Sequence, residues 1–284
     1  MVEVRSHGLW TMVPRGQDPV ETRARVVHRP PGVPSASLLH RLSCLVFVVA
    51  GGCSADADAG SDPFAAGIRT VHFEIDAMPG ATPIGASSSP VGEPWALLEV
   101  NVNALFEGAP RDVELPTSEA DIGPLADAGL EDFDADALVA LADEHRDTPA
   151  QSDVAGFHVL FVDGYYLEDG VRNEAVLGVS LGDTGIIAMF APVIGTGALS
   201  RFVEQTTLVH EFGHAAGLVD NGVDMVDSHL DAEHGHHCDN RSCVMYWLNE
   251  GPTDLREYVT QYVTSGDTVL FDAACLADAN AASP

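Results

Sequence analysis

Residues 210–220 read HEFGHAAGLVD, two histidines four positions apart with a glutamate directly after the first. Residues four apart on a helix share a face, so the imidazoles of His210 and His214 can reach one metal ion. Glu211 is then held beside that ion. It has the chemistry of a general base for a water whose pKa a catalytic zinc lowers to about 7. Two histidines are one short of the protein ligands a catalytic zinc takes. Asp220, Glu233, His229, His234, His236 and His237 all lie close enough along the chain to supply the third. The preceding RFVEQTTLV places Phe202, Val203, Thr206 and Val209 at roughly helical spacing, which predicts a buried helix. Gly217 follows where such a helix must stop and turn back, a position that favours a residue tolerant of positive φ.

HExxHxxG resembles the metzincin clan of zinc metallopeptidases, in which the chain turns at the glycine and a methionine turn lies beneath the metal. In that clan a third ligand comes three residues after the glycine. Asp220 stands there, in the manner of the snapalysins. The later segment HCDNRSCVM, with His237, Cys238, Cys243 and Met245, is more similar to the archaemetzincins. The resemblance covers about residues 206–247 in two pieces. It implies that His210, His214 and His237 hold Zn2+, with Asp220 the next candidate, that Glu211 is catalytic, and that Met245 packs under the ligands. The chain departs from the family twice. Residues 219–236 intervene where the family joins glycine to His-Cys almost directly; a loop that leaves and returns costs only about 0.6 kcal/mol per doubling of length. The family also completes a second, structural zinc site with a downstream CxxC pair, and here only Cys275 follows. Asp220, Asp224, Asp227, Asp231 and Glu233 in the inserted segment are oxygen donors of the kind that bind Ca2+. Their spacing matches no EF-hand, and a solvated acidic loop is the simpler reading.

The elements that must position these residues read as a mixed pattern from residue 68. IRTVHFEID alternates, with Val71, Phe73 and Ile75 on one face of a strand. A helix is expected over about residues 94–106 and an amphipathic one from about Asp134. FHVLFVDGYY reads as a buried strand, and AVLGVSLGD and GIIAMFAPV as two strands joined by a Gly and Asp turn. Residues 253–266 predict a terminal helix with Leu255, Tyr258, Val259 and Tyr262 at helical spacing. This order resembles a metzincin amino-terminal half. The fold class expected is therefore α+β and metzincin-like: a mixed twisted sheet, an active-site helix, and a smaller C-terminal part after the glycine turn. In the clan the edge strand above the helix pairs with extended substrate, and residues 185–191 are the segment expected to do so. Tyr246 directly follows Met245, a poor offset for an oxyanion-stabilising tyrosine. The sequence holds no internal repeat, glycine-rich phosphate loop or serine nucleophile elbow.

The amino-terminal part bears on where this chemistry happens. HRLSCLVFVVAGGC has a basic start, an apolar run over residues 42–50 and small residues before Cys53, too short to span a bilayer and read as a secretory signal. Ala50, Gly51, Gly52 and Cys53 resemble a bacterial lipobox, which implies an exported, lipid-anchored protein of the cell envelope with Cys53 as its modified first residue. Residues 1–37, rich in Arg and Pro, precede that signal and read as sequence upstream of the true start. Three segments are expected: an upstream segment and lipoprotein signal peptide over residues 1–52, a flexible acidic tether over 53–67, and a zinc metallopeptidase domain over 68–284. Residues 1–52 hold six arginines and three acidic residues, so the remainder carries 7 basic against 40 acidic groups, a formal charge of −33, and no lysine occurs anywhere. Such a surface argues against nucleic acid or anionic lipid as a partner. In an oxidising exterior Cys238 and Cys243 are expected to form a disulfide that clamps the turn before Met245, with Cys275 unpaired or competing. The expected function is a monomeric zinc-dependent endopeptidase acting on protein or peptide substrates. The alternative is a zinc-stabilised, non-catalytic surface-binding lipoprotein whose site is closed by a fourth ligand such as Asp220 or His234.

Overall fold

The alternating segment at residue 70 forms the sheet's organising strand. The structure, a computed structural model, describes residues 62–88, 93–127, 129–148, 151–247 and 268–284, all within one compact unit. The expected signal peptide, Cys53 and the helix over residues 253–266 lie outside the described residues. Strand β1 (Thr70–Ala77) buries Val71, Phe73 and Ile75 on one face, as its period of two dictates. Strand β5 (Val154–Val162) runs parallel to β1 along its whole length. Strand β9 (Ile186–Phe190) continues the parallel arrangement beyond β5, and β8 (Gly178–Ser180) pairs antiparallel on its outer side. On the far side of β1, the short strands β2 (Asp112–Glu114) and β3 (Gly123–Pro124) pair parallel at its two ends. The order β2-β1-β5-β9-β8 makes a mixed sheet. A small second sheet joins β4 (Asp132–Phe133), β6 (Tyr165–Glu168) and β7 (Val171–Asn173).

Helices cover both faces. Helix α1 (Ala96–Leu105) and helix α4 (Ser200–Ala215) pack together on the face that carries Phe73 and Phe157. Phe212 of α4 seals that layer, its ring centroid 5.2 Å from Phe73 and 5.0 Å from Phe157. The interior is built of such interlocked rings. Helix α2 (Ala135–His145) begins where the sequence indicates: Asp134 is its N-cap, and its carboxylate accepts from the Ala137 N–H at 2.8 Å. The opposite sheet face is polar near β1, where His158 Nε2 lies 2.8 Å from Asp76 and Glu74 accepts the N–H groups of Asp147 and Thr148, fixing the chain after α2. Helix α3 (Ala191–Ile194) is a single turn, and α5 (Ala273–Ala282) closes the chain with Asp272 as its cap.

Three expectations are corrected here. The tether does not extend to residue 67, because Phe64 is buried with its ring 5.2 Å from Phe106; one aromatic among small acidic residues is enough to dock the end of that segment. The edge strand is β8 rather than residues 185–191. All five residues of β9 are buried, as expected of a strand paired on both sides and covered on both faces. Cys238 and Cys243 are thiols and not a disulfide. The Cys243 and Cys275 sulfurs, 3.6 Å apart, are likewise well beyond the ~2.05 Å of an S–S bond.

Candidate metal centre

Helix α4 carries the HExxH pair in its last two turns, and 13 of its 16 residues are buried. It ends as a helix should when the chain must reverse. Gly217 has φ +85°, its N–H donates to the His214 carbonyl at 3.0 Å, and the Leu218 N–H reaches back to the Gly213 carbonyl at 3.0 Å. That pair of bonds is a Schellman motif with Gly217 at C′, and it satisfies carbonyls that would otherwise end the helix unpaired. The inserted segment then leaves and comes back: Leu230 bridges Cys238, the Asp231 N–H donates to the His237 carbonyl at 2.7 Å, and the Asp239 N–H to the His229 carbonyl at 2.8 Å. This return delivers His237 to the end of α4.

His210, His214 and His237 are all buried and together form a group whose donor atoms could share one ion. His214 Nε2 lies 3.1 Å from His210 Nε2 and 3.3 Å from His237 Nε2. The outer nitrogens decide what the inner ones can do. His210 Nδ1 lies 2.7 Å from the Val244 carbonyl and His237 Nδ1 2.6 Å from the His234 carbonyl. A carbonyl oxygen only accepts, so each Nδ1 carries the hydrogen and each Nε2 of the neutral ring offers a lone pair to the centre. Two lone pairs and a third imidazole nitrogen crowded within 3.3 Å repel one another unless a proton or cation stands between them. The residues fit a metal ion on that ground, and the backbone carbonyls are the outer partners that metal-bound histidines typically have.

The surroundings fix these rings further. The His234 side chain is held by Asp231 at 2.7 Å and stacks on Trp247 with ring centroids 4.0 Å apart, steadying the carbonyl that orients His237. Met245 is fully buried beneath α4, so close that a Cβ on Gly213 would collide with its Sδ. The glycine of HEFGH is therefore a packing requirement as well as a spacer. Glu211 is buried and its side chain passes the edge strand: a Cβ on Gly178 of β8 would sit 3.0 Å from Glu211 Cγ.

Of the residues read from the sequence, His210, Glu211, His214 and His237 are brought together at this end of α4. Asp220 is exposed, with φ +58°, and stands outside the group, as do Glu233, His234 and His236. The carboxylates proposed for Ca2+ are not gathered: Asp220, Asp224, Asp227 and Glu233 are exposed, and Asp231 is occupied by His234. Among the described residues none of them joins a metal-capable group of three. Tyr246 turns its ring toward Arg241, 5.8 Å from the guanidinium.

Sequence reasoning missed a second cluster, in which His229 meets the buried thiols Cys238 and Cys275 and the half-buried carboxylate of Asp272. The thiols of Cys243 and Cys275 hydrogen-bond to Cys238 and hold its pKa far below the ordinary thiol value. Three cysteines with a histidine-rich stretch between the two halves of the motif were the available signal.

Comparison with protein-family models, with curated proteins and with solved structures finds no match. The functional reading therefore rests on the geometry above. Among the described residues no helix is long and apolar enough to cross a membrane.

Proposed function

We propose that this chain is an exported zinc-dependent endopeptidase of metzincin type, anchored to a membrane through Cys53. The observation that carries the reading is the convergence of three imidazole nitrogens, with the outer nitrogens of His210 and His237 tied to backbone carbonyls, at the end of a helix that also presents Glu211. Three imidazole donors, one fewer than the four protein ligands of a closed structural zinc, suit zinc in a catalytic setting. Asp220 and His234, the residues that could close the site, stand outside the group, which favours the enzyme over the non-catalytic binding protein.

A zinc ion held by His210, His214 and His237 would supply Lewis acidity, lowering the pKa of water and polarising a peptide carbonyl. Glu211 takes the proton from the attacking water and delivers it to the leaving amine. Strand β8 is the natural docking edge for an extended substrate, since it is the last strand of the sheet and Gly178 brings it against Glu211. The substrate's backbone would be held by main-chain hydrogen bonds there, with Gly178 allowing close approach.

The test is Glu211→Ala. This variant is expected to keep its zinc while turnover of an unfolded protein substrate falls by about 10²–10⁴-fold, the usual contribution of a positioned acid–base group. Unchanged turnover would remove Glu211 from the mechanism. Wild-type turnover that neither a chelator nor a hydroxamate suppresses would remove the metal from it. For the anchor, Cys53→Ala is expected to move the protein from the membrane fraction to the soluble exported fraction, and continued retention on membranes would contradict a lipid on that cysteine.

A further inference from the structure

Three neighbouring parallel strands, β1, β5 and β9, end side by side at Ala77, Val162 and Phe190. The chain leaves β1 for β2 on one side and comes back to β5 on the other. In open sheets of parallel strands such a reversal opens a crevice outside the carboxyl ends, and ligands bind there. Here the crevice is a cavity of about 320 Å³, within the range of small-molecule sites. It is lined by the bend at Gly80 after β1, by Asp163 directly after β5 and by Thr196 in the segment after β9. Phe161 and Ile194 give it an apolar wall, and Glu204 of α4 completes the lining.

Glu204 carries the information about the occupant. It is 2% exposed, and its oxygens accept the N–H groups of Ile84 at 2.8 Å and Gly85 at 2.5 Å. Those bonds seat the carboxylate without neutralising it. The seat is tight, since a Cβ on Gly85 would stand 2.9 Å from Glu204 Oε1. The Arg201 guanidinium is taken by the carbonyls of Ile84, Ser87 and Glu93, and among the described residues no cation forms an ion pair with Glu204. A carboxylate taken out of water is costly unless it is paired. Anchoring the turn at Ile84 accounts for the two hydrogen bonds; it does not account for the cavity that the same carboxylate lines.

The lining also excludes alternatives. No basic residue contributes to it among the described residues, and Asp163 adds a second, exposed carboxylate, so an anion is repelled. Glu204 and Asp163 join no metal-capable group among the described residues, and a bare metal ion has no use for the wall of Phe161 and Ile194. We propose that this cavity binds a small organic cation, a primary amine with a short apolar body, whose ammonium group pairs with Glu204 while its chain lies against Phe161 and Ile194. Asp163 raises the local concentration of such a cation at the entrance. The site is separate from the three histidines: Glu204 stands six residues before His210, about 9 Å along the helix axis.

The probe is 1-aminobutane, titrated calorimetrically into the full-length chain at about pH 8. Its ammonium group is charged there, as a lysine is. Glu204, whose pKa burial pushes up to about 7, is ionised at the same pH. Salt at about 0.5 M screens the rest of the acidic surface. One saturating equivalent is expected, with no binding of 1-butanol or butyrate. Glu204→Gln should weaken binding by about tenfold or more, as loss of a buried charge partner does, and Asp163→Asn by only about twofold. Thr196→Trp, at an exposed position away from the Glu204 seat, should block the cavity and abolish binding with the melting temperature unchanged. That variant and the 1-butanol comparison decide the matter even where Glu204→Gln does not fold. Absence of saturable binding, equal affinity for 1-butanol or butyrate, undiminished affinity in Glu204→Gln or full binding in Thr196→Trp would each overturn the proposal. None of these measurements involves turnover, so the site stands or falls independently of the peptidase reading.

Discussion

The end of α4 and the thiol cluster beside it solve the same problem in opposite ways. At the first, two of three donors come from one helix, so their mutual placement follows from a rise of about 1.5 Å per residue and 3.6 residues per turn. At the second, His229, Cys238, Asp272 and Cys275 come from the inserted segment, its return and the start of α5, and no local rule relates them. Their placement depends on the Leu230–Cys238 bridge and on Asp278 reaching His229 from α5. A site on one rigid element is readable from spacing and tolerant of what surrounds it. A site assembled from loops depends on the whole local fold, and in return it can hold that fold together. His237 and Cys238, neighbours in sequence, belong one to each.

The sharpest way to break this comparison is at that junction. His237→Ala is expected to abolish stoichiometric binding at the helix site and all turnover, because two ligands on α4 are too few for a stable catalytic centre. Asp220→Ala should leave most of both, since the carboxylate is exposed and away from the histidines. Zinc analysis of the two variants decides the matter. If Asp220→Ala is the one that loses metal, the third donor has been misassigned and the return of the inserted segment serves something else.

That contrast also explains what could be read from the sequence. The alternation of Val71, Phe73 and Ile75, the Asp134 cap, the turn between β8 and β9 and the stop at Gly217 are all local, and each stands close to where its residues place it. His210, Glu211 and His214 were legible for the same reason. His237 was legible only through a resemblance, because it lies 23 residues from His214 and nothing in its immediate neighbours distinguishes it from His229, His234 or His236. The edge strand was misplaced because β8 and β9 are adjacent in both sequence and space, and only the pairing with β5 shows which is interior. The uninterrupted apolar run IIAMF of β9 was the clue that it is covered on both faces. His229 was not legible as a member of such a group, because its partners Cys275 and Asp278 are 46 and 49 residues away.

A smaller effect tests whether the helix site owes its geometry to the floor under it. In Gly213→Ala the new Cβ would collide with Met245 Sδ and press on Phe271 Cε1 at 3.2 Å. Overpacking of a filled core costs about 1–3 kcal/mol. Replacing a mid-helix glycine by alanine returns about 1 kcal/mol through helix propensity. The clash is the larger effect, so a net loss on the order of 1 kcal/mol is expected in urea denaturation, with weaker zinc retention. A stabilised variant would mean that Met245 is not seated against α4 as described, and that the helix holds its histidines without support from the turn.

The smallest effect concerns the other end of the same helix, away from either metal cluster. Glu204 is 2% exposed, and its carboxylate accepts the N–H groups of Ile84 at 2.8 Å and Gly85 at 2.5 Å. Burial pushes its pKa up to about 7, outweighing those two hydrogen bonds and the nearby Arg201 charge, which favour the ionised form. The folded value lies above the unfolded one of 4.5, so between these pH values the folded protein keeps a proton that the unfolded chain releases. Stability from this group is therefore greatest below about pH 4.5 and declines as pH rises toward 7. The pKa difference corresponds to at most about 3 kcal/mol, an order-of-magnitude bound on a buried group. Glu204→Gln cannot ionise. The stability of the wild type relative to this variant should fall between about pH 5 and pH 7 and level off above that. Titration elsewhere in the protein is common to both and cancels in the difference. Parallel stability profiles would show that Glu204 is ionised throughout, with its backbone hydrogen bonds to Ile84 and Gly85 stronger than the burial that opposes them.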